Sequence, residues 1–94
     1  MRYIVMAFDG ADPDAPERRR QARPAHMSRA AKLHEDGVLL HGGAILDDAG
    51  AMIGSAVIFE VESRAALDTL IAEDPYATGD VWRNIDIRPF KQGF

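Results

Sequence analysis

The chain opens on "YIVMAF", residues 3–8, and breaks at once into "DGADPDAP", residues 9–16. A short run of consecutive apolar strand formers, stopped by a cluster of Gly, Asp and Pro, describes a β-strand. A strand that is apolar at every position is covered on both faces. One layer of helices can cover one side of it, so something else must cover the other.

Working outward, residues 15–36 lack strand alternation and read as helical. Met27, Ala30 and Leu33, with Ala31 and His34 beside them, fall on one side at helical spacing. Pro24 removes a backbone donor and pushes Arg23 away from the helical region. Either the helix kinks there, or Pro24 opens a new helix at its first position. Gly37 ends the helix in the C-terminal role that glycine commonly fills. "VLLHGGAIL", residues 38–46, is a second strand, whose Gly42 and Gly43 signal a bulge or a close backbone approach. "DDAGAMIG", residues 47–54, is a hairpin connection, and "SAVIFEV", residues 55–61, is the third strand. Ser63 caps a helix over residues 64–73, with Ala66, Leu67, Leu70 and Ile71 as its apolar stripe. "EDPYATGD", residues 73–80, breaks that helix. "VWRNIDIRPF", residues 81–90, is the fourth strand; alternation puts Val81, Ile85 and Ile87 on one face and Trp82 and Phe90 on the other.

The order β-α-β-β-α-β predicts an α+β, ferredoxin-like fold: a four-stranded antiparallel sheet with two helices on one face, formed by residues 1–94 as one domain. The helices leave one apolar sheet face open, and such a face does not stay exposed on a soluble monomer. The expected cover is the same face of a second copy about a two-fold axis, giving a homodimer through the sheet face.

The 94 residues carry a net charge of −4, which argues against a nucleic-acid partner, since nonspecific binding needs a basic surface. The chain has no cysteine, which excludes disulfides, zinc-thiolate sites and thiol nucleophiles. No stretch approaches the ~20 apolar residues of a membrane helix. The apolar run near Met1 is too short for a secretory signal. The expected location is therefore the cytoplasm, with no membrane partner.

"RPAH", residues 23–26, carries the first chemical candidate. His26 shares a helix stripe with Ala30 and Leu33; an imidazole ordinarily titrates near pH ~6.5, so the residue type can act as acid or base at neutral pH. The plain alternative is a partly buried histidine bonded to backbone. Asp74, in "EDPY", is held extended by Pro75 at a helix break, where its carboxylate can reach another element. If it bonds one imidazole nitrogen, it sets the tautomer and turns the other nitrogen toward a ligand. Alternatively, it is a solvated turn residue. Ser55 follows Gly54 at the start of a strand, and its hydroxyl could bind a ligand oxygen or simply end a hairpin. No G-x-S-x-G elbow marks it as a nucleophile. His26, His34 and His41 make no metal motif, so no metal is expected. The basic run "ERRR", residues 17–20, together with Arg23, reads as a solvated helix face paired with nearby acids. A second option is anion capture by Arg23 beside His26.

These stretches, taken in order, resemble a known family. "RPAH", "GVLLHGG", "GSAVIFEVES" and the tail "AEDPYATGDVWRNIDIRPFKQGF" are similar to the YciI-like (YCII-related) family over nearly the whole chain. The resemblance implies a ferredoxin-like fold paired as a dimeric α/β barrel. It also implies a histidine–aspartate pair in a cleft, carried here by His26 and Asp74. Ser55, Arg23, Gly43 and Tyr76 match positions near that cleft and are expected to bind substrate. A related dehydrochlorinase acts on a chlorinated hydroxyquinol, so the scaffold supports elimination on a small ring. Two positions depart from the family pattern. Pro24 is expected to tilt the turn that carries His26, and Asp80 to place a charge at the cleft rim or the dimer edge.

Two functions follow from different classes. One is a cofactor-independent lyase or isomerase for a small substrate, such as an aromatic one, with His26 as acid or base and Asp74 as its orienter. The other is a non-catalytic dimeric module that holds a small metabolite in the same cleft.

Overall fold

The computed structural model describes residues 1–94. Its elements are β1 (Arg2–Asp9), α1 (Ala15–Glu35), β2 (Leu39–Leu46), β3 (Met52–Glu60), α2 (Arg64–Ala72), α3 (Pro75–Thr78) and β4 (Trp82–Pro89). The strands form one antiparallel four-stranded sheet in the order β2-β3-β1-β4. This is the β-α-β-β-α-β, ferredoxin-like arrangement expected from the sequence, with one extra helical turn, α3, where a plain break was expected.

The sheet buries the face that carries Tyr3, Val5 and Ala7 on β1 and Val57 and Phe59 on β3. Leu67 and Ile71 from α2, with Tyr76 and Val81, complete that core. A side chain as enclosed as Val5 or Leu67, 1% and 0% exposed, contributes about 1.5–3 kcal/mol by leaving water.

A bulge corrects the expected alternation of β4. Asn84 pairs with Phe8, but Trp82 pairs with Asp9, so Arg83 is the extra residue on β4. The pleat is reset there, and Trp82 turns to the helix side, where it is buried. Trp82 therefore does not belong to the open face. Phe90 lies just past β4, half-buried, with its N–H donating to the Arg2 carbonyl at 2.9 Å. The face turned away from the helices instead carries Ile4, Met6 and Phe8 on β1 and Ala56 and Ile58 on β3, paired across strands.

α1 runs through Pro24 without a break, so no new helix starts there. Arg20 and Pro24 are both exposed, leaving the carbonyl that loses its helical partner on the solvent side. The helix ends at Gly37, φ +77°, as expected; Gly37 N–H bonds His34 O at 3.1 Å and Val38 N–H bonds Leu33 O at 2.9 Å. The β2–β3 connection is tighter than expected, with β3 already under way at Met52. Asp47 closes it, because its Oδ1 accepts from the Ala49 and Ala51 N–H groups at 2.9 Å each. Only Ala15 and Arg19 of α1 are buried. The middle of the helix stands off β2, and the space beneath it is the cleft described next.

Candidate functional site

Asp74 sits where α2 has ended and Pro75 forbids a return to helical backbone, so it is extended, with φ −67° and ψ 137°. That conformation lets its carboxylate cap α3: Oδ1 accepts from Tyr76 N–H at 2.8 Å. The same oxygen accepts from His26 Nδ1 at 2.7 Å, and Oδ2 accepts from Arg29 Nη1 at 3.2 Å. A carboxylate only accepts, so His26 Nδ1 carries a proton, and in the neutral ring the lone pair is on Nε2. Both side chains are largely enclosed, at 13% exposure for His26 and 9% for Asp74.

Tyr76 is fixed by the turn that Asp74 caps. Its ring stacks on His26 with centroids 3.7 Å apart and planes 10° from parallel. The Arg19 guanidinium lies over the Tyr76 ring at 4.6 Å. Arg19 and His26 are two turns apart on α1, roughly 10 Å by helical rise, so the phenol ring is sandwiched between cation and imidazole. Trp82 meets both rings edge-on, at 5.9 Å from His26 and 5.6 Å from Tyr76. Burial pushes the Tyr76 phenol above its ordinary range; Asp9 and Asp74 add to this, while Arg19 and Arg23 oppose it.

A second, buried network lies alongside. Arg19 Nη1 donates to Asp9 Oδ1 and Oδ2 at 2.9 and 3.0 Å, and Nη2 donates to Ser55 Oγ at 3.2 Å. Trp82 Nε1 donates to the same Ser55 oxygen at 3.1 Å. The Arg19 and Asp9 side chains are 7% and 6% exposed, so this ion pair is removed from water.

These groups border a cleft of about 510 Å³ between α1 and the β2–β3 side of the sheet. His26, Asp74, Ser55, Tyr76, Arg23 and Gly43, the residues singled out in the sequence, all line it. Arg23 is exposed there. Gly43 contributes backbone, and an added Cβ would meet nothing within 4 Å. Asp80 is not among the lining residues, so of its two expected places, the cleft rim and the dimer edge, the first does not hold. It holds a left-handed turn, φ 56°, and its carboxylate grips Arg83 at 2.7 and 2.9 Å. His34 lies on the cleft wall but spends Nδ1 on the Leu39 carbonyl at 2.9 Å.

The sequence reading missed Arg19, Asp9, Arg29 and Trp82. The run "ERRR" is solvated only in part. Arg18 pairs with Asp12 and Arg20 with Glu17, while Arg19 turns inward. One signal was available: residues 19, 23 and 26 fall at i, i+4 and i+7, the stripe that carries His26.

The fold and this cleft together define a ferredoxin-like α+β domain that presents a hydrogen-bonded histidine–aspartate pair to a small-molecule-sized hollow. The chain belongs to the YCII-related domain family, which it matches over residues 1–91. It is 38% identical to protein YciI of Escherichia coli O6:H1, covering 100% of both chains. Among solved structures it is similar to 5-chloro-2-hydroxyhydroquinone dehydrochlorinase (TftG) from Burkholderia phenoliruptrix AC1100, in complex with 2,5-dihydroxybenzoquinone. The TM-score is 0.84 and the identity 23%, over 99% of this chain and 96% of that one. A dimeric ferredoxin-like protein from Jannaschia sp. CCS1 matches with a TM-score of 0.53 and 17% identity, over 97% of this chain and 98% of that one. At these identities the two solved structures speak for the fold. No helix is long and apolar enough to cross a membrane.

Proposed function

We propose that this YCII-related protein is a cofactor-independent acid–base catalyst acting on a small, oxygen-bearing substrate, such as an aromatic one, by elimination or isomerisation. The observation that carries the reading is the 2.7 Å bond from His26 Nδ1 to Asp74 Oδ1 at the wall of a 510 Å³ cleft. It leaves Nε2 as a base of fixed orientation. In an elimination, Nε2 takes a substrate proton, the electron pair left behind forms a double bond, and the leaving group departs as an anion. Asp74 keeps the ring in place and stabilises the imidazolium that forms. Ser55, Arg23, Gly43 and Tyr76 bind the substrate. Positioned proton transfer of this kind contributes roughly 10²–10⁴-fold.

The functional unit we propose is a homodimer in the cytoplasm, packed through the sheet face that carries Ile4, Met6 and Phe8. Met6 and Phe8 are 37% and 36% exposed in the single chain. A dimeric relative of the same fold, from Jannaschia, supports this assembly.

The test is a panel of halogenated and hydroxylated single-ring compounds, including 5-chloro-2-hydroxyhydroquinone, followed by halide release and absorbance. Turnover by the native protein, cut about 10²–10⁴-fold in His26→Ala and less in Asp74→Asn, is the expected result. Tight binding across the panel with no turnover would point instead to a metabolite-binding module.

A further inference from the structure

Ser55 Oγ accepts two hydrogen bonds whose direction is not in question. Arg19 Nη2 at 3.2 Å and Trp82 Nε1 at 3.1 Å can only donate. A serine oxygen has two lone pairs, and both are now occupied. The remaining tetrahedral direction belongs to the hydroxyl proton. No acceptor for that proton occurs among the protein's side-chain hydrogen bonds, although Ser55 is only 2% exposed and lines the cleft. A buried donor left without an acceptor is costly, typically about 1–3 kcal/mol, so a ligand that satisfies it gains correspondingly.

We infer that Ser55 is a hydroxyl locked as a donor toward the cleft, and that the ligand must present an acceptor oxygen to it, best an oxyanion such as a phenolate, an enolate or a carboxylate. Arg19 is largely committed within the protein. It spends Nη1 on both Asp9 oxygens and one Nη2 proton on Ser55, and its Nε is buried without a hydrogen-bond partner. The cation acts on the ligand through the serine, whose proton it polarises. Arg23, exposed on the same cleft wall, adds positive charge that favours an anion.

The opposite polarity stands on the other side of the Tyr76 ring. In the neutral ring His26 Nε2 is an acceptor, because the proton is on Nδ1, bonded to Asp74. The cleft thus offers one fixed donor and one fixed acceptor. It suits a compact molecule with an acceptor oxygen at one point and a removable proton at another, which describes a hydroxylated ring or an enolisable carbonyl compound. This substrate class rests on His26 being the base, as proposed above. The locking of Ser55 does not, because it follows from Arg19 and Trp82 alone. Arg19, Asp9 and Trp82 are positioning residues here.

Titration calorimetry with 2,5-dihydroxybenzoquinone, and with p-xylene as a ring of similar outline without polar atoms, tests the ligand class. Ser55→Ala is expected to weaken the quinone about 10- to 100-fold, the range for a hydrogen bond to a charged group, and to leave p-xylene unchanged. Equal quinone affinity in native protein and Ser55→Ala, or the same loss for both probes, overturns the inference. Neutron diffraction from deuterated crystals of the unliganded protein reads the proton without relying on a variant that must fold. A deuteron on Ser55 Oγ pointing into the cleft is expected; one pointing at Asp9 or at any backbone carbonyl overturns the inference. Failure of the acid–base reading registers separately, as undiminished turnover in His26→Ala.

Discussion

Arg19 carries more of this molecule than its place in a basic run suggests. Its ion pair with Asp9 is out of water on both sides, so removing one partner strands the other. Arg19→Met is expected to cost about 3–5 kcal/mol in urea unfolding. The double variant Arg19→Met/Asp9→Leu should recover much of that loss, because an apolar pair leaves no stranded charge. Equal stability of the single and double variants would contradict this. Tyr76 makes a second prediction. Its folded-state pKa is raised by burial, so its contribution to stability is whole below the ordinary phenol value of about 10 and is lost as pH rises through the raised one. Alkaline unfolding should therefore be less steep in Tyr76→Phe than in the native protein. At this scale the sequence was half legible. His26 and Asp74 are titratable residues at points where the chain punctuates itself, Asp74 before a proline and His26 on a stripe with small apolar neighbours. Arg19 was hidden because its local pattern matches that of Arg18 and Arg20. Only the arrival of Asp9 from the end of β1 separates it from them.

The elements themselves were easier to read than the irregularities between them. Every strand and both long helices follow from apolar runs and Gly or Pro stops, and Ser63 caps α2 as expected, accepting from Ala66 N–H at 3.1 Å. The β4 bulge was not legible. A period-2 reading of "VWRNIDI" has no signal for an extra residue, since the reset is dictated by pairing with Phe8 and Asp9 on another strand. It is the bulge that turns Trp82 inward to Ser55 and His26. The glycines separate in the same way. At Gly54 an added Cβ would stand 2.5 Å from the Ala7 carbonyl oxygen, while at Gly43 it would meet nothing within 4 Å. Gly54→Ala should destabilise by about 1–3 kcal/mol, and Gly43→Ala should stay within about 0.5 kcal/mol of native. Thermal unfolding of the two variants decides the matter, and equal melting temperatures would contradict the packing account.

At the scale of the whole molecule, the open question is the sheet face away from the helices. The sequence located an uncovered apolar face correctly from "YIVMAF" but assigned it Trp82 and Phe90; Trp82 faces the core, Phe90 lies beyond the end of β4, and Phe8 faces out. The homodimer is proposed from the unfavourable exposure of Met6 and Phe8 on that face. Phe8→Glu would place a charge on the proposed two-fold contact. Sedimentation velocity should find the native chain as a dimer and Phe8→Glu as a folded monomer. A native monomer, or a variant that remains dimeric, would rule out this face as the interface.

All of the proposed chemistry requires one proton to be in one place, on His26 Nδ1 facing Asp74, with Nε2 bare toward the cleft. Nitrogen-15 NMR of the histidine ring at about pH 9, well above the ordinary imidazole value of ~6.5 where the ring is neutral, reads this directly and needs no substrate. The account predicts a single tautomer, with a protonated Nδ1 and an unprotonated Nε2, that reverts to a mixture in Asp74→Asn. A proton on Nε2, or a mixed population in the native protein, would contradict it.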